Sequence, residues 1–169
     1  MKRFAILLAA LALTACHPKT AANSHAPGAA PAPSAESKAF MAKAAKEPGV
    51  KVLPSGLAYK IVRSGPAAGL RPQLMDEVKV NYEGKLANGH VFDSSYERGQ
   101  PVAMPLKGLI PGWQEALQLM RPGDEWILYV PPELGYGAEG AGQIPPGSAL
   151  IFRIELIDFI PAPGSVGQG

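Results

Sequence analysis

A chain of 169 residues, 47% hydrophobic and 18% charged, is long enough for one ordinary domain plus tails and too apolar to be disordered throughout. Its 19 glycines and 18 prolines are too many for a compact fold from end to end, so part of it is tether or loop. The formal charge is +2, and without Lys2 and Arg3 the remaining 14 basic residues balance 14 acidic ones, which removes any electrostatic case for nucleic acid.

Residues 1–15 begin with Lys2-Arg3, continue as an apolar run from Phe4 to Leu13 and end in small residues. This is the layout of a secretory signal, and the run is too short to span a bilayer. Leu13-Thr14-Ala15-Cys16 resembles the lipobox of bacterial lipoproteins, in which the cysteine is lipidated and becomes the first residue. The resemblance implies a membrane anchor on Cys16, the single cysteine, whose being alone excludes a disulfide within the chain. An ordinary secretory signal with a chance cysteine is the plainer alternative. Each buried methylene contributes about 0.8 kcal/mol, so several acyl chains hold a protein where one does not. His17 rather than Asp after the cysteine, by resemblance to Gram-negative sorting, favours the outer membrane, with the folded part facing the periplasm.

Residues 16–35 are almost all Ala, Pro, Ser, Gly, Asn and Thr, a composition that cannot offset its ordering entropy and reads as a disordered tether. Such a tether spans on the order of 25 Å as a coil and roughly 55 Å as polyproline II. In the segment 36–48, Glu36 to Lys46 has helical composition, with Phe40, Met41 and Ala44 on one side and Pro48-Gly49 as a stop. Two readings stand: a solvated helix docked loosely on the domain, or a contact for a partner, for which eleven residues are marginal.

The remainder, residues 49–160, reads mostly as strands. Leu57 to Arg63 is a short strand closed by Ser64-Gly65-Pro66, and Glu77 to Lys85 alternates Val78, Val80 and Tyr82 against Glu77, Lys79, Asn81 and Glu83. Ala87-Asn88-Gly89 is a hairpin turn in which Asn-Gly supplies positive φ angles, and His90 to Asp93 returns from it. In Leu109 to Met120, Trp113, Ala116, Leu117 and Met120 fall at i, i+3, i+4 and i+7, one face of a helix that Pro111 opens and Pro122-Gly123 ends. Glu125 to Val130 is a strand with Trp126, Leu128 and Val130 on one face, and Leu150, Phe152, Ile154 and Leu156 are the inward face of the last. Residues 161–169 are a Gly/Pro/Ser tail. The fold class is α+β: a twisted antiparallel half-barrel sheet wrapped around one short helix.

Covalent and metal chemistry find no support in this pattern. His17, His25 and His90 are scattered, so no set has metal-ligand spacing, and Ser94 and Ser95 have no histidine placed as a base. Gly135-Tyr136-Gly137 lacks the strand-then-helix context of a phosphate loop. What remains is an apolar, aromatic constellation that implies no cofactor and suits a reaction without a nucleophile.

Several motifs then match in order. Val80-Asn81-Tyr82-Glu83-Gly84, Gly89 to Ser95, Pro105-Leu106, Ile110-Pro111-Gly112-Trp113, Pro131 to Gly137, Ile144-Pro145-Pro146 and Leu150-Ile151-Phe152 closely resemble the FKBP-type peptidyl-prolyl cis-trans isomerase family, over about Gly49 to Ile160. Within it the chain looks most like the bacterial envelope branch related to the macrophage infectivity potentiator, whose long dimerising helical domain is missing from this reading.

The resemblance implies an apolar pocket for a proline ring, with Trp113 as floor and Tyr82, Phe92, Leu109, Ile110, Tyr136, Ile144 and Phe152 as walls. It sets Asp93 at the edge beside the rotating amide, gives Tyr136 a hydroxyl for the substrate carbonyl, and makes Arg98 the basic partner of the carboxylate and tyrosine network. Its partners would be Xaa-Pro segments of folding envelope proteins, with macrolides as possible ligands. Val102 and Met104 stand where many relatives carry aromatics, and Gly140-Ala141-Gly142-Gln143 lacks bulk, which implies a more open pocket with weaker macrolide binding. Taken singly, Trp113 and Phe152 read as core, Asp93 as a strand-end turn residue and Tyr136 as a loop aromatic. A chaperone or binding module with weak or no isomerase activity is the functional alternative.

Overall fold

The computed structural model describes residues 34–163. The signal, Cys16, the tether up to residue 33 and the last six residues of the tail lie outside them. Seven antiparallel strands make one sheet: β1 (Val50–Val52), β2 (Ala58–Arg63), β3 (Glu77–Leu86), β4 (Val91–Ser94), β5 (Val102–Pro105), β6 (Glu125–Val130) and β7 (Leu150–Ile160). The order is β1-β2-β6-β7-β3-β4, with β5 also on β3. Two helices, α1 (Ala35–Ala44) and α2 (Pro111–Leu117), pack against it.

β3 is the spine. Its alternation buries Val78, Val80, Tyr82 and Leu86, as the sequence pattern requires, and it pairs with β7 from Glu77↔Ile160 to Leu86↔Leu150. On its other edge β5 pairs with Glu77 to Val80 and β4 with Glu83 to Lys85, so two short strands share one long one. The sequence pattern missed both β1 and β5. Three and four residues carry too few alternations to register, and β5 ends in a proline.

α2 covers one face of the sheet. Pro111 occupies the first turn, where its missing N–H costs nothing, and Trp113, Ala116 and Leu117 are buried against the inward residues of β3, β6 and β7. The helix ends at Leu117, short of the expected Met120. Met120 is nonetheless fully buried from the following turn, and Gly123 at φ 92° completes the reversal.

The short helix expected ahead of the domain is α1, and its docking face is defined. Ser37, Phe40, Met41 and Ala44 share one helical face, and Phe40, Met41 and Ala44 pack with Ala58, Tyr129 and Ile151 on the opposite side of the sheet. Tyr129 donates a hydrogen bond to Glu47 at 2.9 Å; burial first, then that carboxylate, push its phenol up to about 12. The hairpin after β3 also differs in detail from the expected turn. Gly89 alone in the turn has positive φ, 88°, and no non-glycine among the described residues does, so Asn88 serves by accepting from the His90 N–H instead.

Candidate functional site

Where α2 enters, the sheet and helix do not close completely. A cavity of about 190 Å³ is lined by Tyr82, Phe92, Asp93, Met104, Gly108, Leu109, Ile110, Trp113, Tyr136 and Phe152.

The aromatic walls are set by strand register. Trp113 stands edge-on to Tyr82 at 5.1 Å and to Phe152 at 5.2 Å, and Phe152 edge-on to Phe92 at 5.7 Å. Gly84 makes that stacking possible, because a Cβ there would lie 2.7 Å from Phe92 Cζ and 2.8 Å from Phe152. The β3–β4 register jumps from Gly84↔Asp93 to Lys85↔Val91, leaving Phe92 without a partner. This bulge breaks the alternation and lets consecutive residues, Phe92 and Asp93, both reach the cavity.

The polar rim has one fixed anion. Tyr82 donates to Asp93 at 2.5 Å, Arg98 bonds both to Asp93 and, at 2.9 Å, to the Tyr82 oxygen, and its guanidinium lies 5.5 Å from the Tyr82 ring centroid. Burial alone would raise the Asp93 carboxyl, but the Tyr82 hydroxyl and the hydrogen bond and charge of Arg98 outweigh it and hold the group below the usual carboxylate range. Tyr136, 39% exposed, turns a hydroxyl with no hydrogen-bond partner among the described residues to the same rim. Burial and then the nearby Asp93 charge keep its phenol above the ordinary value, so it stays a donor. Trp113 Nε1 is a second unpartnered donor, buried at the floor.

Eight of the anticipated residues therefore meet at one cavity: Tyr82, Phe92, Asp93, Leu109, Ile110, Trp113, Tyr136 and Phe152. Two do not line it. Ile144, 7% exposed, is in the core cluster with Trp113 and Phe152 but is not among the residues that line the cavity. Arg98 sits behind Asp93 as its counter-ion rather than on the lining. Of the two positions noted as lacking an aromatic, Met104 lines the cavity and Val102 does not, and Gly108 lines it without having been anticipated. Pairing of Met104 with Val78 across β5 and β3 brings the methionine in, a contact visible only once the strand exists. Gln114 was also missed; its amide donates to the Leu109 carbonyl at 2.7 Å and the Lys107 carbonyl at 3.1 Å, bracing the lip that leads into α2.

Ser95, considered above as a hydroxyl without a base, is fully buried and exchanges hydrogen bonds with the Tyr82 backbone, at 2.8 and 2.9 Å. Its role is to lock the start of the β4–β5 connection to β3. Among the described residues no group of three or more His, Cys, Asp or Glu is arranged to hold a metal, and no helix is long and apolar enough to cross a membrane.

A family model described as FKBP-type peptidyl-prolyl cis-trans isomerase matches residues 69–157, and one described as a domain amino terminal to that isomerase matches residues 9–61. The peptidyl-prolyl cis-trans isomerase Mip of Coxiella burnetii is 56% identical over 123 residues, 72% of this chain and 53% of that protein. The outer membrane protein MIP of Legionella longbeachae is 45% identical over 124 residues, 73% of this chain and 52% of its own length. The chain thus spans about half the length of these relatives. Of solved structures, FkpA from Escherichia coli has a TM-score of 0.73 at 46% identity, covering 76% of this chain and 60% of that one. A peptidyl-prolyl cis-trans isomerase from Pseudomonas syringae has 0.68 at 40%, covering 73% and 90%.

Proposed function

The chain belongs to the FKBP-type peptidyl-prolyl cis-trans isomerase family, and from that premise we propose that it isomerises Xaa-Pro bonds in the cavity floored by Trp113. The observation that carries the reading is an aromatic cavity whose rim offers one fixed carboxylate and one free hydroxyl. Nothing there forms a covalent bond, and none is needed.

A peptide bond resists rotation by about 18–20 kcal/mol because of amide resonance. Unaided, Xaa-Pro bonds isomerise over tens to hundreds of seconds. In the twisted transition state resonance is lost and the amide becomes less polar than in its planar ground state. An apolar cavity therefore disfavours the planar form relative to the twisted one, and each 1.4 kcal/mol or so of difference is a tenfold rate gain. The proline ring lies on Trp113 between Phe92 and Phe152. The Tyr136 hydroxyl donates to a carbonyl of the bound segment and fixes its position while the amide turns. Asp93 stays ionised beside the rotating bond because Tyr82 and Arg98 hold its charge.

The partners that fit are Xaa-Pro segments of folding proteins of the cell envelope. Relatives named as an outer membrane protein and as Mip support an envelope site, and Leu13-Thr14-Ala15-Cys16 supports a lipid anchor on Cys16 in the outer membrane, facing the periplasm. Macrolides would enter the same cavity, held less firmly because Met104 replaces an aromatic wall. A protease-coupled assay on Xaa-Pro peptides tests the activity: wild type accelerates isomerisation, Tyr136→Ala abolishes most of it, and a wild-type rate no faster than background would overturn the reading.

A further inference from the structure

The polar member of the buried face of α1 is Ser37. It is 3% exposed, and its hydroxyl donates to the Gly147 carbonyl at 2.7 Å while accepting from the Ala149 N–H at 2.8 Å. A helix that merely covered the sheet would place an apolar residue there. Instead the hydroxyl satisfies two backbone groups 110 and 112 residues away, just where β7 begins. Ser34 adds to the fixing of Ser37, since its side chain accepts from the Ser37 N–H at 3.0 Å and caps the helix.

The Gly147 peptide is bonded on both sides. Its carbonyl goes out to Ser37, and its N–H goes in to the Gly137 carbonyl at 2.8 Å, closing the base of the loop that begins at Tyr136. The same loop is cross-braced by the Gly140 N–H on the Tyr136 carbonyl at 3.1 Å and by the Ala141↔Ile144 bridge. A continuous run of hydrogen bonds thus links α1, on the far side of the sheet, to the residue next to Tyr136. Gly147 has φ 67°, a conformation that other residues rarely adopt, so this peptide is oriented for both partners.

We propose that Ser37 is a positioning residue for the isomerase site: through Gly147 and Gly137 it sets where the Tyr136 hydroxyl stands at the cavity rim. The proposal rests on the isomerase reading for its kinetic consequence, though not for its structural one. It makes α1 part of the working site rather than a spacer before it.

Two measurements on the mature chain decide it. Amide hydrogen exchange reads the latch without reference to turnover: in Ser37→Ala, protection falls at Gly147 and Gly140 as well as at Ala149. Loss confined to Ala149 would mean a local contact only and would overturn the proposal, whether or not the protein is an isomerase. In the peptide assay, Ser37→Ala lowers kcat/KM by about fivefold to tenfold, as expected for a slightly misplaced group. The same change has no further effect once Tyr136→Phe is present. Full additivity of the two substitutions, or unchanged kcat/KM in an active protein, would also overturn it. Tyr129→Phe, which removes the Tyr129–Glu47 bond on the same side of the sheet, lowers Tm but leaves kcat/KM unchanged. Should Ser37→Ala fail to fold, Ser37→Cys, of similar size with a far weaker donor, replaces it in both measurements. A wild type without activity sinks the isomerase reading alone, and the exchange result still judges the latch.

Discussion

Two of the sheet's arginine-held carboxylates, Glu125 and Asp93, differ in what they face. Glu125, its side chain 8% exposed, accepts from Arg153 at 2.5 Å and faces Arg63 at 3.5 Å, on the side away from the cavity. Asp93, its side chain 40% exposed, is held by Arg98 and Tyr82 at the cavity rim. By burial alone Glu125 would look the more important. The difference lies in what each carboxylate faces. Glu125 is enclosed by its own partners, whereas Asp93 keeps one side toward an aromatic cavity with a free hydroxyl opposite. A paired carboxylate becomes a functional group only when part of its field is left for a ligand.

Substitution separates the two most sharply. Asp93→Ala should cut kcat/KM roughly 30- to 100-fold, about 2–2.7 kcal/mol, with little change in Tm. Glu125→Ala should do the reverse, costing about 1–2 kcal/mol of stability with per-molecule turnover kept. Paired denaturant melts and peptide assays read both, and a turnover loss in Glu125→Ala as large as that in Asp93→Ala would erase the distinction.

Trp113→Leu tests the cavity that Asp93 faces. Removing an aromatic floor while keeping an apolar side chain should lower kcat/KM about tenfold, near 1.4 kcal/mol, and harm catalysis more than folding. If it unfolds the domain while the folded fraction keeps its activity, Trp113 is core and not floor.

The smallest effect concerns pH. Asp93 lies below its ordinary 3.8 and Tyr136 above its ordinary 10.0, so the catalytic profile should be flat between those values. The sign follows from the lowered carboxyl: its charge, and the stability it contributes through Tyr82 and Arg98, are present above the unfolded value and lost as pH falls through the folded one. Tyr82→Phe removes one of the groups holding Asp93 low, so the acid limb should move up in pH while neutral activity falls about threefold, under 1 kcal/mol. An unmoved limb would show that Arg98 alone sets the charge.

Much of this was legible in one dimension. Alternation over ten residues is a property of β3 itself, and so is the 3.6-residue spacing from Trp113 to Leu117; each states which face is buried without any partner. Those patterns sufficed for an α+β fold, and the family resemblance carried by the motifs around Asp93, Trp113 and Tyr136 named eight residues that line the cavity. β1 and β5 escaped because a three- or four-residue strand owes its existence to its neighbour.

What only the tertiary structure decided is which groups meet. A one-residue bulge opposite Gly84 turns Phe92 and Asp93 to the same cavity, and pairing of β3 with β4 sets Tyr82 against Asp93. Packing of α1 on the outer face brings Ser37 to Gly147. Periodicity records which side of its own element a residue occupies, while register, bulges and packing across the sheet determine what lies opposite, and those depend on residues far away in the chain.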